Sequence, residues 1–498
     1  MTTAPSEALA AGIPELRLHP LSWLFELFNV LRQFIVPIVI LLFTGRGDRY
    51  ELWGLLGAGI MVPLAVARYC SFRYRIGGDR IVIRSGLLHK TVRDIAFTRI
   101  QNVTLHQGLL HRLMNVAEVR LETGGGEDKE EGRMRVLGFA EAQALQRIIR
   151  SSELPAGTPD AEAPAAEEQV LLQLPTRELL KLGLISNKGM LLVAAGIGGA
   201  YQFNWELPQA LFEQVGGWLM AHRDDLGTGG PGTYVLGGML VLLAAFTLLR
   251  LISMLQALLH YHGFVLRSDA HRLSITRGLL SRFNGSLPRT RIQAWTLQQG
   301  WLQRRFKRYA LRVDAAAGSN QKHEQLESHW ALAPIADEAG IAHIIGAVLP
   351  AGSWPVAEWQ PLHPNAWKRR FKVPAFFLLP VTAVCVFWFG VYGLLPLLGI
   401  PWLYVQSKIW ARHAGYAHAN GLIAVREGWI GKHWRFAQTR KVQAVYLKQS
   451  PFDRRHGMAT VFCDTVNAGM SEPTLAVRYL PFDEAVRLHD EMAAAIAQ

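Results

Sequence analysis

The sequence has few of the residues and motifs that mark a disulfide scaffold, a metal site or a familiar enzyme. Its 498 residues include three cysteines, Cys70, Cys385 and Cys463, which lie far apart in the chain. That spacing excludes a disulfide framework and a cysteine-based zinc site. The motifs HExxH, GxSxG and the P-loop are also missing from the sequence. We therefore predict no catalytic activity, no metal and no cofactor; the alternative is an enzyme with an unfamiliar site.

A cleavable signal sequence and a high content of charge are missing as well. Residues 1–20 contain no basic segment followed by an apolar one, so we predict no signal peptide. Charged residues make up 18% of the chain, hydrophobic residues 50%, and the mean hydropathy is +0.13. Such a chain is more apolar than is usual for a soluble protein of this size, which indicates membrane segments.

Three apolar zones are each long enough for a hairpin of two membrane helices. The first is interrupted by the sequence RGDRYE, the second contains the apolar runs 189–203 and 232–255, and the third has no charge from 373 to 407. A bilayer helix needs roughly 17–25 apolar residues. Gly393 and Pro396 mark the expected turn of the third hairpin. The alternative for each zone is a buried helix of a soluble protein.

The distribution of charge predicts the orientation of these hairpins. The loops inside the hairpins are neutral or acidic, whereas the segments between hairpins are rich in arginine. Because positive loops remain on the cytoplasmic side, we place both termini and all three long segments in the cytoplasm. The expected location is therefore the bacterial inner membrane, with six membrane helices.

After each hairpin comes a segment with the same layout. Thr98-Arg99-Ile100-Gln101 recurs as Thr290-Arg291-Ile292-Gln293, and more loosely as Thr439-Arg440-Lys441-Val442-Gln443. Each glutamine lies 15 residues after a glycine (Gly86, Gly278 or Gly428). The repeated polar positions are Arg99, Gln101, Gln107 and Arg112 in the first copy, Arg291, Gln293, Gln299 and Arg304 in the second, and Lys441, Gln443, Gln449 and Arg454 in the third.

Alternating patterns such as RIVIRSGLL and RLSITRGLL predict antiparallel strands that turn at the glycine. A helical stretch ends each copy, so each module is expected to be a set of strands followed by one helix. The predicted order is an N-terminal segment (1–27), hairpin 1 (28–70), module 1 (71–150), a disordered linker (151–169), hairpin 2 (170–260), module 2 (261–350), a linker (351–372), hairpin 3 (373–410) and module 3 (411–498).

This layout resembles the bacterial membrane pleckstrin-homology-like (bPH2) family of the YdbS/YdbT type. The resemblance is carried by the SGLLHK and RGLLSR turns, the TRIQ strands, and the small-residue ends TGGG and AAAG. Three copies are similar to the long YdbT-like branch. The resemblance implies a fold of membrane helices with cytoplasmic antiparallel barrels of seven strands, each capped by a C-terminal helix. It implies neither catalysis nor an established ligand.

The positive charge is concentrated on the modules. Residues 73–126, 262–318 and 414–469 carry net charges of +5, +9 and +5, against +13 for the whole chain. Modules beneath the inner leaflet face anionic headgroups, and each nearby cation contributes about 1 kcal/mol. The strongest cluster also contains Phe306 and Tyr309, which could insert at the interface, and its basic residues are Arg304, Arg305, Lys307, Arg308 and Arg312. A solvated basic face is the alternative; nucleic acid is not expected.

The repeated arginines and glutamines also have a structural interpretation. The glutamines Gln101, Gln293 and Gln443 could satisfy backbone groups, and the arginines could pair with carboxylates. The leading hypothesis is a scaffold without enzymatic activity whose modules bind lipid headgroups, each other or another membrane protein. The alternative is a transporter or lipid-handling protein, for which Arg250 is the one deep charged candidate in the apolar zones.

Overall fold

The computed structural model describes about two thirds of the chain. The predicted first hairpin, most of the first apolar run and the outer loop of the second hairpin, and residues 153–168 of the predicted linker lie outside this part, apart from a few positions. The described ranges, which exclude some single residues within them, are 16–17, 71–86, 90–123, 133–152, 169–191, 231–315, 329–349, 358–465 and 475–496.

The chain divides into two compact units, and the division passes through the second module. The first unit comprises Met1–Ala165, Gln173–Val265 and Ser274–Ser286. The second comprises Ala166–Leu172, Leu266–Leu273 and Leu287–Gln498.

The described residues of module 1 form seven strands and two α-helices. Its core is built from alternate residues of the strands, such as Ile81, Ile83, Val103 and Leu105, with Leu145 of the terminal helix packed against them. This alternation buries one face of each strand, as the sequence pattern predicts. The elements are β1 (Leu16–Arg17), β2 (Arg73–Ile76), β3 (Arg80–Ser85), β4 (Thr91–Ala96), β5 (Ile100–Gln107), α1 (Leu109–Leu113), β6 (Val116–Thr123), β7 (Arg133–Gly138) and α2 (Phe139–Ser152).

Two helices of the second hairpin region pack closely against each other. They are α3 (Thr176–Ile185) and α4 (Pro231–Tyr261). A Cβ at Gly183 would lie 2.4 Å from the backbone of Met254, so glycine permits the close approach.

Module 2 repeats the order of module 1. Its elements are β8 (Gln169–Gln173), β9 (Val265–Ser268), β10 (Arg272–Arg277), β11 (Arg282–Pro288), β12 (Ile292–Gln299), α5 (Trp301–Arg305), β13 (Tyr309–Ala315), β14 (His329–Ala336) and α6 (Glu338–Val348).

The third hairpin is described completely. It consists of α7 (Ala366–Phe389), a 3-10 segment (Gly390–Leu398) and α8 (Gly399–His413). The 3-10 segment contains both Gly393 and Pro396, and it folds back so closely that a Cβ at Gly393 would lie 2.3 Å from the backbone of Cys385. The predicted turn is therefore confirmed.

Module 3 has the same seven strands and terminal helix. Tyr416 donates a hydrogen bond to Glu484 Oε1 (2.8 Å), which ties the terminal helix to the sheet. The elements are β15 (Gln360–Pro361), β16 (Gly415–Ala419), β17 (Leu422–Glu427), β18 (Lys432–Gln438), β19 (Val442–Lys448), α9 (Pro451–Arg454), β20 (Met458–Thr465), β21 (Leu475–Pro481) and α10 (Phe482–Ile496).

The first strand of each module precedes the membrane hairpin in the chain. β1 pairs with β2 through Leu16–Arg17, and β15 pairs with β16 through Gln360–Pro361. β8 likewise forms the outer strand next to β9. Each apolar zone of the sequence thus lies between two strands that are neighbours in a sheet. The sequence patterns did not predict these strands, because two to five residues are too few to show alternation.

The described residues contain two stretches that are long and apolar enough to cross a membrane. They are Leu236–Tyr261, with a mean hydropathy of 2.2, and Ala366–His413, with 2.1. The second stretch is the α7–α8 hairpin. Six membrane helices therefore remain a prediction, since hairpin 1 and most of the first helix of hairpin 2 lie outside the described part.

The repeated glycines adopt the left-handed backbone that the predicted turns require. Gly86, Gly278 and Gly428 have φ angles of 111°, 107° and 100°. A Cβ at Gly278 would lie 1.9 Å from the carbonyl oxygen of Ser281. A Cβ at Gly428 would lie 1.9 Å from the carbonyl oxygen of Gly431. Only glycine fits this turn.

Candidate functional site

Modules 1 and 2 are joined by a pair of antiparallel strands. β5 of module 1 pairs with β11 of module 2, with Gln107 opposite Arg282. Arg112, on the short helix after β5, donates to the carbonyl of Leu279 in the turn before β11 (2.8 Å). Ser281 Oγ lies 3.2 Å from His106 Nδ1 across the same junction. The sheet of one module thus continues into the next in the order β7-β6-β5-β11-β10-β9-β8.

Modules 2 and 3 are joined in the same way. β12 pairs with β18, with Gln299 opposite Lys432, and the sheet order is β14-β13-β12-β18-β17-β16-β15. Trp295 stacks on Phe436 with ring centroids 6.1 Å apart. Across the junction, Arg435 forms an ion pair of 2.7 Å with Asp314.

The Lys432 side chain at this second junction is partly removed from water. Burial lowers the pKa of Lys432, and the positive charges of Arg304 and Arg426 lower it further. Burial also lowers the pKa of His433, although Glu427 opposes the shift. The junction is thus a packed interface with desolvated charge.

The repeated arginines of the first two modules bind the next module. Arg304 donates to the carbonyls of Trp429 (2.5 Å) and Ile430 (3.4 Å), as Arg112 does to Leu279. The prediction that these arginines pair with carboxylates is therefore wrong. Backbone carbonyls in a glycine turn point outward from the hairpin, and a guanidinium with five donors suits them.

The glutamines at the second repeated position form hydrogen bonds within their own module, two of them to backbone carbonyls. Gln107 donates to the carbonyl of Val116 (2.9 Å), and Gln449 donates to the equivalent carbonyl of Met458 (3.0 Å). Gln299 is buried and hydrogen-bonds Tyr309. These contacts close the short helix between two strands, which is a structural role.

The first repeated positions behave differently in each copy. Gln293 is buried and donates to the carbonyl of Arg291 at 3.4 Å, whereas Gln443 is exposed. Lys441 donates to the carbonyl of Thr290 in module 2, so it belongs to the second junction. Arg99 is exposed in the 3-10 turn before β5, next to Gln101, whose side chain lies outside the described part.

The basic cluster of module 2 is divided among different tasks. Arg304 binds module 3, and Arg308 donates to the carbonyls of Phe306 and Lys307. Arg305 and Lys307 are exposed, while Arg312 is half-buried on β13. Arg305 and Lys307 are therefore the members of the cluster that face solvent most fully.

The apolar side chain that accompanies these two cations is Trp301, which the sequence patterns did not single out. Trp301 begins α5 and is 65% exposed. Tyr309 packs against Trp434 (ring centroids 6.0 Å apart), and Phe306 is half-buried. The prediction that Phe306 and Tyr309 insert at a membrane interface is therefore not supported. Leu109 and Phe452 occupy similar exposed positions on α1 and α9.

Comparison with known proteins agrees with this architecture. The sequence model of the bacterial PH domain family matches residues 24–153, 215–347 and 371–496. The chain belongs to this family. It is also similar to the UPF0699 transmembrane protein YdbT of Bacillus subtilis (strain 168), with 21% identity over 465 residues that cover 89% of this chain and 91% of the relative. No solved structure matches significantly.

These matches confirm the bPH2 resemblance, the threefold repeat and the membrane character of the chain. The family consists of membrane proteins with PH-like domains and is not a known enzyme family. In the described part of the chain, no group of three histidine, cysteine or acidic side chains is placed to hold a metal ion.

Arg250, the charged residue on which the transporter alternative depends, binds the end of a neighbouring helix. Its guanidinium donates to the carbonyls of Leu184 (3.0 Å) and Ser186 (3.1 Å) and to Asn187 Oδ1 (3.2 Å). A cation at the C-terminus of a helix satisfies carbonyls that have no partner within that helix. This arrangement gives Arg250 a structural role.

Proposed function

We propose that this bacterial PH protein is a scaffold of the bacterial inner membrane without enzymatic activity. Its cytoplasmic modules bind one another edge to edge, and short basic helices contact the anionic leaflet. Such a scaffold serves envelope maintenance or resistance to membrane-active compounds. The observation that carries the proposal is the continuous sheet at each junction, in which a strand of one module pairs with a strand of the next.

The contact with the leaflet is supported by α5. Trp301 is exposed beside Arg305 and Lys307, and an aromatic ring next to cations suits the boundary between headgroups and acyl chains. Each cation near an anionic surface contributes about 1 kcal/mol, and salt screens this attraction.

A fluorescent label on α5 tests this contact in the full-length protein. Trp301→Cys is labelled with an environment-sensitive dye in a chain with Cys70→Ala and Cys385→Ala. Cys463 can remain, because burial raises the pKa of its thiol to about 12 and keeps it unreactive. The protein is then placed in nanodiscs of phosphatidylcholine alone or mixed with phosphatidylglycerol.

We expect a blue shift and quenching by nitroxide-labelled lipid only in the anionic nanodiscs, and reversal by high salt. Arg305→Ser with Lys307→Ser should abolish the shift. The matched control, Arg147→Ser with Arg487→Ser, removes two exposed cations from the terminal helices and should leave it intact. If the dye emits as it does in water in both kinds of nanodisc, α5 does not contact the leaflet. The basic cluster would then only reflect the cytoplasmic location of the module.

A further inference from the structure

The two junctions use the same register. Counted from the glycine turn, the residue four positions later lies opposite the second repeated glutamine: Arg282 opposite Gln107, and Lys432 opposite Gln299. A single rule of pairing therefore holds wherever one module follows another.

Within the described part of the chain, two strands that correspond to the junction strands have no neighbour on one side. β4 is the outer strand of the sheet β1-β2-β3-β4, and β19 is the outer strand of β19-β20-β21. β4 corresponds to β11 and β18, which are the junction strands of the later module. β19 corresponds to β5 and β12, which are the junction strands of the earlier module. Among the described residues neither β4 nor β19 has a partner on its outer edge.

The side chains of both edges are exposed where their counterparts are covered. Gln293 and Ala294 of β12 are buried, whereas Gln443 and Ala444 of β19 are exposed. On β4, Val92 is 60% exposed. An exposed strand edge with unpaired backbone groups is a template for another strand.

Two polar groups of module 3 also lack the partners that their counterparts have. Arg454 corresponds to Arg112 and Arg304, yet it is exposed, and within the described part of the chain its guanidinium has no acceptor. Asp464 corresponds to Asp314, and its Oδ1 is buried with no hydrogen-bond donor among the described residues.

The missing partner of Asp464 is present on the other open edge. Asp314 is bound by Arg435, which lies seven residues after Gly428. Seven residues after Gly86 is Arg93, on β4. A strand like β4 docked on β19 would bring an arginine to the buried carboxylate oxygen of Asp464.

We propose that β19 of one chain receives β4 of a second copy, which extends the chain of modules head to tail. The register places Gln449 opposite Lys90, Lys448 opposite Thr91, and Leu447 opposite Val92. Continuity with the two internal junctions identifies the occupant as another bPH2 module of this chain. Because the contact is heterologous, repetition produces filaments or closed rings rather than a symmetric dimer.

The proposal deepens the scaffold function, but it does not depend on contact with lipid. Anchoring in one membrane holds the edges of neighbouring copies on the same side, which raises their effective concentration. Asp94 occupies the position where Phe436 stacks on Trp295. The contact between copies therefore lacks this aromatic pair and is weaker than the internal junction.

Disulfide crosslinking in membranes tests the register. Lys448→Cys and Thr91→Cys are placed in two full-length chains with different tags, co-expressed and oxidised. The matched positive control is the internal equivalent, Gln298→Cys with His433→Cys in one chain. Lys448→Cys with Asp94→Cys is the control for register, and each single variant measures the background from native cysteines.

We expect a dimer carrying both tags with Lys448→Cys and Thr91→Cys, at least five times the yield of the out-of-register pair. If the internal control crosslinks and the mixed dimer does not form, the proposal is wrong. A crosslink only within single chains that carry both cysteines would also overturn it, because the chain would then close on itself.

A charge swap provides an independent readout. Asp464→Arg should reduce the yield of mixed dimer at least fivefold, and Arg93→Asp in the partner copy should restore most of it. Loss without restoration would contradict the ion pair. Lipid binding by α5 is measured separately with the Trp301→Cys label. The test of contact with the leaflet and the test of pairing between copies can therefore fail independently of each other.

Discussion

β12 and β19 are the same strand of the same fold in two different situations. β12 reads IQAWTLQQ and is buried over its first four residues; Ala294 packs in the core of module 3, and Trp295 lies opposite Phe436 of β18. β19 reads VQAVYLK and is exposed at Gln443, Ala444, Tyr446 and Lys448. The burial of a side chain on a repeated strand therefore depends on whether another module lies beside that strand, as well as on the sequence of the strand.

The residues at the two edges reflect this difference. Trp295 of β12 is replaced by Val445 in β19, and Gln298 by Lys448. A lysine on an edge strand discourages unspecific strand pairing. We infer that the lysine keeps the edge of β19 from pairing with unrelated strands, so that it pairs only with a strand of matching register.

The largest expected difference concerns the two alanines. Ala294 is fully buried in the same core as Ile423 and Ala437 of module 3, whereas Ala444 is exposed. Ala294→Asp should weaken the β12–β18 junction by about 3 kcal/mol or more, because it buries an unpaired charge. Ala444→Asp should cost less than about 0.5 kcal/mol. Hydrogen exchange of the full-length protein in detergent, read at β18, measures both; equal effects would refute the comparison.

The glycine turn at the first junction is the next test. Gly278→Ala should destabilise the turn by about 3 kcal/mol, since φ is +107° and the new Cβ would meet Ser281 O. Exchange should rise in β11 and β5 together, because Arg112 binds this turn. Gly457→Ala, at φ +63° in open space, is the control and should cost about 1 kcal/mol. A similar loss in both variants would mean that the clash is relieved locally.

The repeated arginines sharpen the comparison. Arg304→Ala removes a charged donor from the carbonyl of Trp429 and should cost about 1.5–2 kcal/mol, seen as faster exchange in the turn before β18. Arg454→Ala should leave the exchange of the isolated protein unchanged, because its side chain is exposed. Equal protection in wild type and Arg304→Ala would contradict a role at the junction.

The smallest expected effect concerns the two aspartates. Asp314→Asn breaks a partly exposed ion pair with Arg435 and should cost about 0.5–1 kcal/mol. Asp464→Asn should be neutral or stabilising by up to about 1 kcal/mol, because the buried Oδ1 has no donor in the described chain. Thermal unfolding followed by tryptophan fluorescence compares them; a larger loss for Asp464→Asn would show that this carboxylate is already paired within the chain.

Much of each module could be predicted from the repeats. The alternating strands, the glycine turns, the terminal helices and the turn of the third hairpin are local features, and local features are visible as periodicity. Of the three glutamines predicted to satisfy backbone groups, Gln293 does donate to a carbonyl; Gln107 and Gln449, for which this role was not predicted, also do. β1, β8 and β15 were missed because they are short and lie across a membrane hairpin from their partners.

The sequence by itself determined three copies of one module, the apolar zone before each copy and the concentration of positive charge on the modules. Only the tertiary structure decided which strand covers which edge, and therefore that Arg112 and Arg304 bind carbonyls of the next module. Periodicity reports which face of a strand is buried. It does not report which strand lies beside it, because backbone hydrogen bonds along a sheet edge are the same for every sequence.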